Sequence, residues 1–345
     1  MKKRVLINGF GRIGRAITRI NLKQNIFELA AINDINPDNK NIAYLLKYDS
    51  TFGRLDNEIT CSPDGIAVDS HPIRVTHEKE FRNIDFSGID IVIESSGIKT
   101  NIQQLEELAD TSSVEHFIVT NVDSKKAQNI LFGVNENMIG EPGRKIYSSS
   151  ICDVVSLGPI YHVLEKNFGI ENGFLTTLHP WLSYQNLMDG PAKSWSQPGD
   201  VYSHYALGRS AVMSLIPKST SAVRALGNVF PDAMDKIACF SYRTPTNLVS
   251  SGVFSAVLKK NTTSDELIHL FQEEEKKQKY HVFRTTNEPL VSVDYIGIDY
   301  SAILDTRWIQ VVGGNHIEVV YWYDNECGYS SRIVDIVRVL SAPEQ

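Results

Sequence analysis

The feature that most constrains this chain lies in its first fifteen residues. Arg4–Ile7 is a β-rich apolar run, and Gly9-x-Gly11-x-x-Gly14 follows it directly. An amphipathic stretch then runs to about Lys23, so the glycines sit where a strand turns into a helix. A second short apolar strand, Leu29–Ile32, ends at Asn33-Asp34, and Asp34 lies 20 residues beyond Gly14. Strand, glycine turn, helix and acid in this register make the dinucleotide fingerprint of a parallel βαβ unit. Gly9 allows the tight turn. Gly11 lets backbone amides approach a pyrophosphate, whose charge the helix N-terminus favours. Asp34 is suited to bonding the adenosine ribose diol and repels a 2′-phosphate. The expected cofactor is NAD rather than NADP.

The rest of the chain reads as two domains, which suits 345 residues. Asn41–Lys47 is expected to be a helix, and Ile59–Val75, short, alternating and turn-rich, a β-hairpin insertion. Ile89–Ile93 and Phe117–Thr120 are continuous apolar strands of the kind buried on both faces. Lys145–Tyr147 is placed as the last strand of this part. A helix is expected from Asp153 to about Asn167. Longer strands follow at Phe174–Leu178, Ala238–Arg243 and Leu248–Lys259, as in a mixed or antiparallel sheet with its helices on one face. Asp189–Leu207, rich in Gly, Pro, Ser and Tyr, reads as a long ordered loop. Ile317–Trp322 is a strand and Tyr329–Leu340 a helix. The expected fold is α/β: a Rossmann NAD-binding domain over residues 1–151, with the C-terminal helix 326–345 packing back on it, and an α/β catalytic domain over 152–325.

Composition narrows the function classes. A net charge of −7 and no basic run argue against nucleic acid. No apolar stretch is long enough for a membrane span and no secretory h-region follows Met1-Lys2-Lys3, so a cytoplasmic protein is expected. The four cysteines, Cys61, Cys152, Cys239 and Cys327, form no CxxC pair and no zinc pattern, and no metal is called for.

Cys152 lies between a strand and a helix N-terminus, where the helix dipole stabilises a thiolate. His179 ends the strand that starts at Phe174. It is placed to hold that thiolate as an ion pair and then to act as base toward a hemithioacetal hydroxyl. A thiol and an imidazole beside a nicotinamide cofactor are the equipment for oxidising an aldehyde through a thioester. Taken singly, Cys152 reads better as a small core residue and His179 as a satisfied surface histidine. The glycine fingerprint is what raises the chemical reading.

Longer motifs then fall into order. Ile7-Asn8-Gly9-Phe10-Gly11-Arg12-Ile13-Gly14-Arg15, Leu45-Leu46-Lys47-Tyr48-Asp49-Ser50, Glu94-Ser95-Ser96-Gly97, Gly133-Val134-Asn135, Thr176-Thr177-Leu178-His179 and Trp322-Tyr323-Asp324-Asn325-Glu326 resemble, end to end, the phosphorylating glyceraldehyde-3-phosphate dehydrogenases. The resemblance implies Cys152 as nucleophile and His179 as its base. It implies Asn325, with Tyr329 nearby, at the nicotinamide carboxamide. Asn33 and Asp34 match the adenosine-ribose contacts, Arg12 and Ile13 the pyrophosphate contacts, and Ser96 joins the cofactor-binding set. Arg243 matches one phosphate-binding arginine and Arg209 is the candidate for the other. A homotetramer acting on a small aldehyde is implied.

The departures concern the acyl acceptor. The family's nucleophile segment carries a hydroxyl residue on each side of the cysteine, and both help bind the attacking inorganic phosphate. Here they are Ile151 and Asp153. Thr220 is the candidate survivor of that site. Leu182 and Tyr184 stand where a Thr and an Asp of the substrate-phosphate site are expected. A carboxylate a few Å from phosphate costs about 1–4 kcal/mol, roughly a five- to thousand-fold weakening. Alternatively Asp153 caps the first helical turn. The expectation is a diverged NAD-dependent aldehyde dehydrogenase passing its acyl group to water. The alternatives are the ordinary phosphorylating enzyme and a non-catalytic NAD-binding relative.

Overall fold

The structure, a computed structural model, describes residues 2–342. These fall into two compact units. The first takes the chain up to Ile130, Asn137–Ser149 and the chain from Ser330 on; the second takes Leu131–Glu136 and Ser150–Tyr329.

The first unit is built on a nine-stranded sheet. Its centre is the strand Arg4–Asn8, paired in parallel with Glu28–Asn33 on one side and Ile91–Glu94 on the other. The parallel run continues through His116–Val119 and Ile146–Ser148 to Gln128–Asn129. Val5, Leu6, Ile7 and Ile91–Ile93 are all fully buried, as strands covered by helices on both faces must be. On the other flank the expected hairpin is three short strands, Ile59–Ser62, Gly65–Val68 and His71–Thr76. The last of these turns parallel and extends the main sheet beside Glu28–Asn33. This is a doubly wound NAD domain of Rossmann type.

The second unit has an eight-stranded mixed sheet. Ile170–Pro180 pairs in parallel with Ile237–Thr244 and antiparallel with Ser250–Leu258. Ser250–Leu258 pairs antiparallel with His316–Tyr323. The strands ending at Pro180, Thr244 and Tyr323 therefore run the same way and deliver their carboxyl ends to one edge. Their alternation is two-sided: Leu175, Thr177 and His179 are buried, whereas Phe174 and Leu178 on the opposite face are exposed.

One helix, Cys152–Phe168, lies on the inner face of this sheet. Its residues from Asp153 to Ile160 are buried without interruption, as for a helix enclosed by its own domain. It begins one residue before the expected start, at Cys152 itself. The preceding Ser150 is in the left-handed region, φ 59°, which turns the incoming chain sharply. The ring of Tyr321 lies on Gly252, where a β-carbon would come within 2.2 Å of it. The segment expected as a long loop after Asp189 holds one bridge, Lys193 with Val201, and a single turn of 3-10 helix at Tyr205–Gly208. Among the described residues no helix is long and apolar enough to cross a membrane.

Candidate active site

In the first unit the glycine turn is shaped by close approaches. Gly9 has φ +88°, and a β-carbon there would sit 2.4 Å from the amide of Ser96; one on Gly14 would sit 2.3 Å from the Gly9 carbonyl. Around Gly11 nothing lies within 4 Å of that position. The turn is thus closed toward the protein and open at Gly11, where the helix Arg12–Gln24 begins without a capping side chain. That is the arrangement a pyrophosphate needs. Asp34 clasps the same turn: Oδ2 accepts the Phe10 amide at 2.6 Å and Oδ1 the Asn36 amide at 2.9 Å. Arg12 is held by Asp49, and its guanidinium lies 5.5 Å from the Phe52 ring centre.

Beneath the turn runs a buried polar chain. Glu94 accepts from the Asn8 amide group and from the Ser96 amide and hydroxyl. Asn8 in turn accepts from Asn33 at 2.7 Å, and Asn33 accepts from Thr76 and the Glu78 amide, both at 2.8 Å. The Asn33 side chain is only 2% exposed. It is engaged inside the protein, next to Asp34 on the same strand end. Burial lifts the Glu94 carboxyl to about 7 against the pull of its hydrogen bonds.

In the second unit the co-directional strand ends meet the helix that begins at Cys152. The Cys152 Sγ lies 3.5 Å from His179 Nε2. The His179 Nδ1 lies 2.8 Å from the Pro180 carbonyl, a partner that only N–H can satisfy, so Nε2 offers its lone pair to sulfur. Asp153 does not merely cap its helix. Its carboxylate is 5% exposed, with Oδ1 3.7 Å from the Cys152 Sγ and bonded by the Tyr323 hydroxyl at 2.7 Å. Its Oδ2 accepts from Thr220 at 3.1 Å.

The surroundings of the thiol work against the expected ion pair. Burial, then Asp153, push the Cys152 thiol well above its usual range. Burial, then Arg243, lower His179 to about 4. Both shifts work against a thiolate–imidazolium pair, because the enclosed site and the neighbouring carboxylate penalise the thiolate that the helix N-terminus favours. Arg243 is the cross-strand partner of His179. It is buried, and its Nε has no hydrogen-bond partner. Lys218 joins the group; burial and Arg243 hold its pKa below the usual range.

Asn325 is buried with an unpartnered Oδ1. The turn that carries it is fixed by Asp324, which accepts the amides of Glu326 and Cys327 at 2.9 and 2.8 Å. The Tyr329 hydroxyl donates to the Ser150 carbonyl at 3.2 Å. Arg209 does not join the hydrogen-bonded group around Cys152; its largely exposed guanidinium pairs with Asp189 at 2.8 Å. Tyr323 and Lys218 were not singled out from sequence, although alternation along Ile317–Trp322 would have put Tyr321 and Tyr323 on one face.

A nucleotide-binding sheet with this glycine turn, and a thiol–imidazole pair at the strand ends of a second sheet, define an NAD-dependent dehydrogenase. Two family models match: glyceraldehyde 3-phosphate dehydrogenase, NAD binding domain, over residues 3–102, and its C-terminal domain over 151–325. Glyceraldehyde-3-phosphate dehydrogenase 1 of Kluyveromyces lactis is 35% identical over 97% of this chain and 98% of that protein. Glyceraldehyde-3-phosphate dehydrogenase of Priestia megaterium is 32% identical over 99% of both. The chain belongs to the glyceraldehyde-3-phosphate dehydrogenase family.

Proposed function

We propose that this protein oxidises glyceraldehyde 3-phosphate with NAD through a thioester on Cys152. The carrying observation is the 3.5 Å approach of Cys152 Sγ to His179 Nε2 beside the buried, part-unpaired Arg243. Sulfur attacks the aldehyde carbon while the thiol proton passes to Nε2, and the imidazolium returns it to the new oxyanion. His179 then removes that hydroxyl proton as the carbonyl re-forms. Bound NAD supplies the acceptor for the departing hydride. Asn325, with its free amide oxygen, is assigned to the nicotinamide carboxamide. Arg243 and Lys218 are assigned to the substrate phosphate.

The relatives' names favour the ordinary reaction, in which inorganic phosphate takes the acyl group. Nothing in those names points to another acceptor. A second reading, transfer to water, is favoured by one observation: the Asp153 carboxylate occupies the neighbourhood of both Cys152 and Thr220. It puts negative charge where the attacking phosphate has to bind.

One assay tests both. Purified protein is given NAD and glyceraldehyde 3-phosphate, with and without inorganic phosphate. Steep phosphate dependence and an acyl-phosphate product establish the first reading. Steady NADH release and free acid without phosphate establish the second. No NADH even in a single turnover, with NAD bound, overturns the proposal.

A further inference from the structure

Cys152, Asp153 and His179 form the one group of three or more potential metal ligands among the described residues, with Sγ, a carboxylate oxygen and an imidazole nitrogen all within 4.8 Å of one another. Sequence spacing does not reveal it, since Cys152 and His179 are 27 residues apart and meet only through the fold. We propose that these three side chains form a site for a thiophilic divalent cation, zinc by geometry, whose occupancy reversibly removes the nucleophile.

The distances carry the first step. With Zn–S about 2.3 Å and Zn–N or Zn–O about 2.0–2.2 Å, two donors on a tetrahedral zinc lie about 3.4–3.6 Å apart. Here Sγ to Nε2 is 3.5 Å and Sγ to Oδ1 is 3.7 Å. The third edge, from the carboxylate to the imidazole, is no longer than 4.8 Å and has to shorten when the metal binds.

The surroundings carry the second step. A ligating histidine donates its other N–H to a fixed acceptor, and a ligating carboxylate is itself hydrogen-bonded. His179 has the Pro180 carbonyl at 2.8 Å. Asp153 has Tyr323 on Oδ1 and Thr220 on Oδ2. Each of these leaves a lone pair for a metal. The donor set, one sulfur, one nitrogen and one carboxylate oxygen, suits zinc rather than calcium or magnesium. Arg243 and Lys218 oppose a cation here, so the site is expected to be weaker than a structural zinc centre.

Binding replaces the thiol proton by metal: Cys–SH and Zn²⁺ give Cys–S–Zn⁺ and one H⁺. No electron moves, and a chelator reverses the step. With sulfur and Nε2 both committed to the metal, neither attack on a carbonyl nor proton transfer is available. Asp153 is what turns a two-ligand pair into a three-ligand site.

The test uses the full-length, reduced, chelator-treated chain. Zn²⁺ is titrated against a chromophoric chelator, Co²⁺ serves as the spectroscopic probe, and alkylation of each cysteine is followed by peptide mass. The expected result is one Zn²⁺ per chain, a sulfur-to-cobalt charge-transfer band and selective protection of Cys152, with exposed Cys61 as internal control. Asp153→Asn should weaken binding about tenfold or more, and Tyr323→Phe, which removes the hydroxyl bonded to the carboxylate, should weaken it less. NAD binding by each variant reports that it is folded. Affinity unchanged in Asp153→Asn, or protection of Cys61, Cys239 or Cys327 instead of Cys152, overturns the proposal.

Discussion

Tyr323 donates its hydroxyl to Asp153 Oδ1 at 2.7 Å, joining residues 170 positions apart. Tyr323 ends a strand of the mixed sheet, and Asp153 stands in the first turn of the helix lying on it. Burial and the carboxylate hold this phenol well above its usual range, so it stays a donor. The bond locks the carboxylate beside the nucleophile. A hydrogen bond to such a group contributes about 1.5–3 kcal/mol. Tyr323→Phe should therefore lower unfolding free energy by about that much, measured from urea midpoints. In an Asp153→Asn background the same change should cost at least about 1 kcal/mol less. Equal costs in both backgrounds would mean that the two side chains are not energetically coupled.

Asp153→Thr should strengthen the use of inorganic phosphate whichever acceptor the wild-type protein uses. It removes a negative charge and restores a hydroxyl next to Cys152, with Thr220 freed to face the same ion. Taking the smaller end of the charge cost, about 1.4 kcal/mol, the phosphate KM should fall about tenfold or more. The check is initial NADH rate against phosphate concentration at saturating aldehyde. A KM that does not move would show that the carboxylate is not what holds phosphate off.

These tests rest on a contact the sequence did not reveal, whereas much else was legible. The glycine turn, the first strand and helix, and Asp34 are adjacent in sequence, so local spacing specified them. The apolar runs at Ile89–Ile93 and Phe117–Thr120 betrayed burial on both faces before any partner was known. Alternation along Phe174–Leu178, Ala238–Arg243 and Leu248–Lys259 pointed to a mixed or antiparallel sheet. It did not say which strands would be neighbours. His179 meets Arg243 because two parallel strands pair in one register, and Tyr323 meets Asp153 because a helix crosses the sheet. Both facts belong to topology. The burial that acts on the thiol–imidazole pair was equally hidden, because the motif carries no measure of enclosure.

Gly14→Ala tests the cofactor turn. The added methyl would lie 2.3 Å from the Gly9 carbonyl and 3.2 Å from an Ile7 side-chain carbon. A backbone oxygen beneath a helix cannot give way cheaply, and overpacking of this kind costs about 1–3 kcal/mol. We expect a lower melting temperature and a loss of NAD affinity of about tenfold or more, followed by quenching of intrinsic fluorescence on NAD addition. NAD binding at wild-type strength would mean that the turn tolerates displacement from the helix.

The Glu94 carboxyl supplies a pH dependence. In the folded protein burial raises it from an ordinary 4.5 to about 7, so the folded state binds its proton more tightly than the unfolded chain. Its contribution is present in full below about 4.5 and is lost as pH rises through about 7. The difference corresponds to about 3 kcal/mol. Glu94→Gln starts with a penalty, because an amide cannot accept from Asn8 and Ser96 at both ends. Between pH 5 and pH 8 its stability relative to wild type should nevertheless improve by about 2–3 kcal/mol, read from denaturant midpoints at the two pH values. A difference that stays constant would place the Glu94 titration outside this window.

Arg243 poses the clearest opposition between stability and binding. It is 7% exposed, its Nε is unpartnered, and Lys218 adds a second positive charge nearby. Burying an uncompensated cation is costly, and replacement by an apolar side chain of similar length is often neutral or stabilising. Arg243→Met should leave the melting temperature unchanged or raise it. On its proposed assignment to the substrate phosphate, the same change should raise KM for glyceraldehyde 3-phosphate by about thirtyfold or more, a charged hydrogen bond contributing about 2 kcal/mol or more. An unphosphorylated aldehyde of the same length should be affected much less, and comparing kcat/KM for the two aldehydes isolates the phosphate contribution. Equal losses on both would assign Arg243 to the thiol–imidazole chemistry, and a fall in melting temperature would mean that the guanidinium is already compensated within the fold.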